Sequence, residues 1–425
     1  GVGLASDGRG KSLWAPRKEG QIRAIRRAYA AGVAPEGLQY LECHATSTQV
    51  GDATELTALT EALSGSLSGS APVPIGSVKA NIGHTLETAG VAGLVKAILA
   101  MNAGCIPPQI NFRTPNPEIP WNDIPFRVQT EAQDWQADAQ FGVRRTAVNA
   151  FGIGGLNIHV VLDDRPSERM STSATVPATP SSDVSVPKPA IRPDEPIAVV
   201  GMGTIAPGAL TVQAFRDLIE SGRDPKQPVP ADRWNPDIYV NSPGEEAFRT
   251  TTNVGGVIEG FEYDWKKHRI PPKQIANANP LQFMLLDAAD QALRDAGCAE
   301  REFDRESCAV VVGTIFGGDF ACEMQVGLRL PEMRARLDAL LQRESIRAAE
   351  RARCLDEFEK KLLEHMPALM DETGSFTSST LASRLTKTFD LMGGAFALDG
   401  DDVSAACAIS SAMNLLRTGT CSAVL

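Results

Sequence analysis

Two histidines on loops are the side chains best placed for chemistry. His44 lies in Glu42-Cys-His-Ala-Thr-Ser-Thr-Gln-Val-Gly-Asp52, after the apolar run Leu38–Leu41 and before a helical pattern, Ala53–Leu63. Leu56, Leu59 and Leu63 mark one face of that helix, with Asp52 placed to cap it and Glu55 three residues on. His84 closes a second loop, Ser77-Val-Lys-Ala-Asn-Ile-Gly-His84, five residues after Lys79. A third loop, Asn149-Ala-Phe-Gly-Ile-Gly-Gly-Leu-Asn157, carries three glycines that let backbone approach a ligand closely. A lone loop histidine is more often a hydrogen-bonded structural residue, and a lone lysine a surface one. That bland reading holds for His159, His268 and His365.

The elements around these loops follow an α/β pattern. The second loop follows the apolar run Val73–Ile75 and leads into a helix, Ala89–Met101. Loops of this kind, between strand and helix, are where α/β proteins present chemistry. Upstream, Ile22, Ile25 and Tyr29 make one helical face that Gly32 ends, and Asn157–Leu162 reads as a final strand. Gly8-Arg-Gly-Lys-Ser12 is not a phosphate loop, because Ala5 stands where a Walker motif needs glycine.

The chain's 425 residues are enough for two domains. A formal net charge of −11 argues against nucleic acid or an anionic membrane as partner. No apolar run is expected to span a membrane, and Gly1 onward is not a signal peptide. Eight scattered cysteines without a Cys-x-x-Cys pair point to a reducing, cytoplasmic setting rather than disulfides or a zinc site. No Gly-x-Ser-x-Gly elbow is present, which leaves a serine hydrolase unsupported. Both ends read as cut in mid-pattern.

Composition divides the chain at a Ser/Thr/Pro-rich linker, 164–195. Beyond it, Ile197-Ala-Val-Val-Gly-Met-Gly203 reads as a buried strand entering a glycine turn. It lacks the third glycine of a dinucleotide fingerprint. The sequence then predicts a helix from Asn279-Pro-Leu-Gln282 to Gly297 and a strand over Ala309–Gly313. A charged helical stretch, Pro331–Asp371, opens on a proline suited to a first turn. Its apolar stripes, Leu337, Leu340 and Leu341, then Leu355, Phe358 and Leu362, read as packing surface.

The three loops, in this order, resemble the C-terminal half of a β-ketoacyl synthase. That family's pattern is Glu-Ala-His-Gly-Thr-Gly-Thr-x-x-Gly-Asp, then Val-Lys-x-Asn-Ile-Gly-His, then Phe-Gly-x-Gly-Gly-x-Asn-x-His. The stretch after the linker resembles the start of a second such synthase, through Ile197–Gly203, Val229-Pro-Ala-Asp-Arg-Trp234, Asn279–Gln282 and Thr377-Ser-Ser-Thr380. The resemblance implies an α/β, thiolase-like layered αβαβα fold in two incomplete domains. The first, 1–163, would be the C-terminal half of a ketosynthase. The second, 196–425, would be the N-terminal half of a cysteine-less, chain-length-factor-like one. The arrangement is similar to the ketosynthase–chain length factor pair of multifunctional polyunsaturated fatty acid synthases.

The cysteine-less assignment rests on register. Ketosynthases carry Asp-Thr-Ala-Cys-Ser-Ser-Ser at the N-terminus of a buried helix, where the dipole favours a thiolate. Aligning Asp399 with the family aspartate brings Gly419 and Cys421 into register without a gap and puts Asp402 at the cysteine position. Cys407 is the rival, but it requires five residues deleted from the following helix. A synthase cysteine would then lie in a half-domain preceding Gly1.

The resemblance implies decarboxylative Claisen condensation of acyl and malonyl thioesters, in which His44 and His84 donate to the malonyl thioester oxygen as the enolate develops. It further implies that Lys79 polarises the site and that Thr46 and Thr48 either bind the pantetheine arm or cap turns. Ile153 takes the gating position before Gly154, where the family usually has phenylalanine. No intrinsic cofactor is implied. Substrates would arrive as phosphopantetheine-bound acyl and malonyl groups on acyl carrier protein, and the two domains would pair as a pseudo-dimer. The contrasting reading is a non-catalytic thiolase-fold scaffold that binds carrier protein or shapes a partner's acyl tunnel.

Overall fold

The structure is a computed structural model; it describes residues 1–10, 15–30, 32–69, 71–164, 195–231, 233–240, 249–276, 278–315, 318–370 and 377–425. Nearly all of the expected linker, and Lys11 and Ser12 of the glycine-rich stretch near the start, lie outside those residues. Two compact units interleave along the chain. The first comprises Gly1–Glu195, Asp304–Ile315 and Ala382–Leu425, and the second Pro196–Phe303 and Phe316–Leu381.

In the first unit, β1 (Val2–Ser6), α1 (Lys18–Tyr29), β2 (Tyr40–Glu42), α2 (Gln49–Leu67) and β3 (Val73–Gly76) lead to a single turn, α3 (Lys79–Ile82). Helix α4 (Ala89–Ala103) and strands β4 (Phe126–Val128), β5 (Arg145–Phe151) and β6 (Leu156–Asp163) follow. The six strands form one mixed sheet, ordered β1-β6-β5-β2-β3-β4. β6 runs antiparallel to both β1 and β5, while β5, β2, β3 and β4 are parallel. Parallel neighbours need crossovers, and those crossovers carry His44 and His84. Ile25, Leu41, Leu59, Leu63, Ile75 and Phe126 fill the core between the sheet and helices α1 and α2. Truncating one such leucine to alanine costs about 2–5 kcal/mol.

Helix α2 begins four residues earlier than the sequence predicts. Its N-cap is Thr48, and Asp52 falls in the first turn instead of capping. Ala45 and Ser47 adopt φ of 30° and 64°, which tightens the loop and lets the helix start sooner. α4 ends at Gly104, whose left-handed conformation lets its N–H reach Ala100 O and Met101 O. By length and composition alone, Leu86–Ala103 would suffice to cross a membrane. Here α4 packs on β5 and β2 and buries Gly93, Ala97 and Met101.

The second unit contains α5 (Val212–Ser221), α6 (Leu281–Asp295), α7 (Gly318–Arg343) and α8 (Ala348–His365). Pro331 lies inside α7, not in a first turn as expected. The charged stretch forms a helical hairpin in which Arg334 pairs with Asp356 and Glu359 and Arg351 with Asp338. Leu355 is buried there, but Leu340 is 53% exposed, so the first stripe only partly packs. Residues 197–203 form no strand. Gly201 and Gly203 lie against the α6 backbone at Ala292 and Ala288, yet Val199 and Val200 are 82% and 71% exposed. The expected buried strand fails because no described strand pairs with it, and a strand needs a ladder as well as a hydrophobic pattern.

The first unit is completed by a parallel three-stranded sheet, β8 (Ala395–Leu398), β7 (Cys308–Gly313) and β9 (Ala423–Val424). Helix α9 (Ser379–Phe389), whose residues from Ala382 belong to this unit, precedes β8, and α10 (Ser404–Arg417) follows it. Arg27 of α1 fastens this sheet to the first by donating to Leu4 O at 2.6 Å and Glu306 O at 3.0 Å.

Candidate active site

Two buried carboxylates hold the histidine loops in place. Glu55, on the first turns of α2, accepts the backbone N–H groups of His44 at 2.8 Å and Ala45 at 2.9 Å. It also accepts Asn149 Nδ2 at 2.8 Å, and Asn149 Oδ1 lies 2.6 Å from His159 Nδ1. Burial pushes the Glu55 pKa up, and these donors pull against that shift. Glu42, at the end of β2, accepts the Val78 N–H at 2.5 Å, immediately before Lys79. It also accepts the Tyr40 hydroxyl at 2.7 Å and pairs with Lys96 Nζ at 2.7 Å. Lys96 is the only charged residue in α4, so its charge on an otherwise apolar helix was the signal for a buried partner. The sequence predicts structural duty for Glu55 at the helix start. Its carboxylate instead holds the backbone of the His44 loop, a role that local pattern does not disclose. His159, expected to be structural, is fully buried within this network.

The two imidazoles meet at the parallel edge of the site. Their ring centroids are 5.5 Å apart and their planes are inclined at 83°. Phe151 N–H points to His44 Nδ1 at 3.4 Å, and Leu86 N–H donates to His84 Nδ1 at 3.0 Å. A neutral imidazole that accepts at Nδ1 carries its proton on Nε2, so each ring presents an Nε2–H donor. Burial, then the charge of Lys79, then His84, drive the His44 pKa down to about 3. His84 is lowered by burial and then by Lys79. Both rings are therefore neutral donors at pH 7. Lys79, on α3, has its own pKa lowered by burial, while Glu55 and Glu42 act in the other direction.

A cavity of about 670 Å³ opens beside this pair, lined by Thr46, Thr48, Lys79, His84, Phe112 and Trp121 among others. The hydroxyls of Thr46 and Thr48 are 3.3 Å apart at its rim. Ile153 stands at the apex of the β5–β6 hairpin, 51% exposed, with Gly154 buried behind it. Glycine is required at 154, where φ is +97°. Asp402 is exposed, in the turn Asp401–Val403 that leads into α10. Ser404 ties that turn by donating to Asp401 O at 2.7 Å. Cys407 is half-buried one turn inside α10. Thus His44, His84, Lys79, Thr46 and Thr48 come together in one site, with Phe151 joining the Ile153 hairpin to His44.

Comparison with known proteins bears on this arrangement. Residues 1–113 match the model for the β-ketoacyl synthase C-terminal domain, 115–186 the ketoacyl-synthetase C-terminal extension, and 194–425 the β-ketoacyl synthase N-terminal domain. A solved PfaC keto synthase–chain length factor structure is similar over 98% of this chain, with a TM-score of 0.73 and 26% identity. Among curated relatives, a highly reducing polyketide synthase of Emericella nidulans is 39% identical over 40% of the chain. A phenolphthiocerol/phthiocerol polyketide synthase of Mycobacterium tuberculosis is 41% identical over 41% of it. The chain spans 7% and 12% of those two relatives and 42% of the solved PfaC chain. With family domains matched on both sides of the linker and the α/β, thiolase-like fold shared with a ketosynthase–chain length factor, the chain belongs to the β-ketoacyl synthase family.

Proposed function

We propose that this chain is part of a β-ketoacyl-[acyl carrier protein] synthase that performs decarboxylative Claisen condensation in fatty acid or polyketide synthesis. The observation that carries the reading is the convergence of two imidazoles with centroids 5.5 Å apart, each with Nδ1 facing a backbone N–H, an arrangement that suits neutral rings donating from Nε2. Two such donors aimed at one thioester oxygen stabilise the enolate left when malonyl loses carbon dioxide. Lys79 adds positive charge that favours the same enolate. Thr46 and Thr48 serve the neutral pantetheine arm with hydroxyls, and Ile153 and Gly154 form the acyl gate. Acyl and malonyl groups arrive on the phosphopantetheine of acyl carrier protein, in the cytoplasm.

The second domain, 196–425, is read as a non-catalytic, chain-length-factor-like partner that forms a pseudo-dimer with the first. In the register set by Asp399, Asp402 falls at the nucleophile's position, and a carboxylate there cannot hold an acyl chain as a thioester; the residue lies in the turn before α10. Cys407 lies a full turn further in. On this reading the acyl-bearing cysteine is supplied by a complementary half-domain. The test is His84→Ala in the intact synthase, assayed by carbon dioxide release from malonyl carrier protein. Loss of one donor is expected to cost about 2.7–4 kcal/mol, a fall of two to three orders of magnitude. An unchanged rate would refute the assignment.

A further inference from the structure

We propose that Ser383 and Lys387, one turn apart on α9, are positioning residues for the glycine hairpin that carries Ile153, and that they thereby determine acyl-length specificity. This deepens the condensing reading above and rests on it. The hairpin is closed by Gly152 N–H to Leu156 O at 2.7 Å and Gly155 N–H to Gly152 O at 3.0 Å. One side of it faces His44, through the Phe151 amide and ring. The other side faces α9. A Cβ built on Gly154 would fall 1.8 Å from Ser383 Oγ and 2.4 Å from Ser383 Cβ, so the Ser383 side chain fills the space against that glycine.

Lys387 acts one step removed. Asp7 clasps the hairpin by donating its N–H to Gly155 O at 2.8 Å and accepting Asn157 Nδ2 at 2.8 Å. A Cβ on Gly155 would lie 2.6 Å from Asp7 Oδ2. The Asp7 side chain is 1% exposed, and the cation opposite it is Lys387 Nζ at 3.9 Å, itself 11% exposed and without a hydrogen-bond partner among the described residues. A buried carboxylate keeps its place only while its charge is compensated. Arg17 donates its backbone N–H to Asp7 Oδ2 at 3.2 Å and its guanidinium to the Asp7 carbonyl at 2.9 Å, while Lys387 Nζ is the side-chain cation paired with the carboxylate itself. α9 falls in the stretch that matches the family's N-terminal domain, whereas the hairpin belongs to the preceding half. The contact therefore lets the second family domain tune the gate of the first without touching His44 or His84.

The test uses Lys387→Met, Ser383→Ala and the conservative Lys387→Arg. In the full chain, hydrogen exchange at Gly152 and Gly155 should rise about tenfold in K387M and S383A, with the β5 amides still protected and K387R near wild type. In the intact synthase, the ratio of longer to shorter products should shift about tenfold, while carbon dioxide release from malonyl carrier protein changes by less than about threefold. Unchanged hairpin exchange overturns the positioning role. Raised exchange with unchanged product lengths overturns the specificity role. A wild-type synthase that releases no carbon dioxide from malonyl carrier protein overturns the condensing reading and the specificity role with it, while the exchange experiment still decides positioning.

Discussion

Replacing Glu55 with glutamine probes the carboxylate that holds the His44 loop. Glu55 Oε1 accepts His44 N–H and Asn149 Nδ2, and Oε2 accepts Ala45 N–H. Glutamine keeps the volume but has one oxygen. With its oxygen at the Oε1 position, two bonds survive as neutral ones and the NH₂ is turned against Ala45 N–H. The orphaned buried amide costs about 1–3 kcal/mol, and weakening two charge-assisted bonds costs roughly 1 kcal/mol each. Relief from burying a charge offsets part of this, which leaves a net loss of about 2–3 kcal/mol. Glu55→Ala orphans all three donors and should lose more, about 3–5 kcal/mol. Because the displaced amides belong to His44 and Ala45, the ring moves with the backbone. A shift of about 1 Å at a reacting group costs on the order of 100-fold in rate. Urea unfolding of the chain measures the first effect, and malonyl decarboxylation by the intact synthase the second. A Glu55→Gln variant within about 0.5 kcal/mol of wild type and of equal rate would show that Glu55 does not hold the loop.

Lys96→Met leaves Glu42 with Tyr40 and Val78 but no ion-pair partner among the described residues, and urea unfolding should show a loss of about 3 kcal/mol, at the low end for a broken buried pair. His44 and His159 have pKa values held to about 3 against 6.5 unfolded, so the unfolded chain takes up protons first. Stability should therefore fall as pH drops from about 6.5 towards 3. His159→Gln should flatten that slope by close to one proton, about 1.4 kcal/mol per pH unit, in a urea-midpoint series. Incubation with a radiolabelled acyl thioester should leave Cys407 unlabelled by peptide mass. Stoichiometric labelling there would overturn the position given to Asp402.

The sequence by itself determined the α/β class, the three loops and the helices α4 and α6, because each is written in a local period or a contiguous motif. His44, Lys79 and His84 were legible for the same reason. It could not determine that His44 and His84 lie 5.5 Å apart, since 40 residues and a strand separate them. Only the parallel pairing of β2 with β3 brings their loops to one edge. Tertiary structure alone decided the duties of Glu42 and Glu55, whose partners lie across loops, strands and a neighbouring helix. Residues 197–203 show the converse limit: their apolar pattern specifies a strand, but a strand exists only where a neighbour completes its hydrogen bonds. Pro331 shows it again, because α7 runs on through a residue that local propensity places at a start. The contact of Ser383 with the Ile153 hairpin spans more than 200 residues of chain, and side-chain fit across that distance has no period to read.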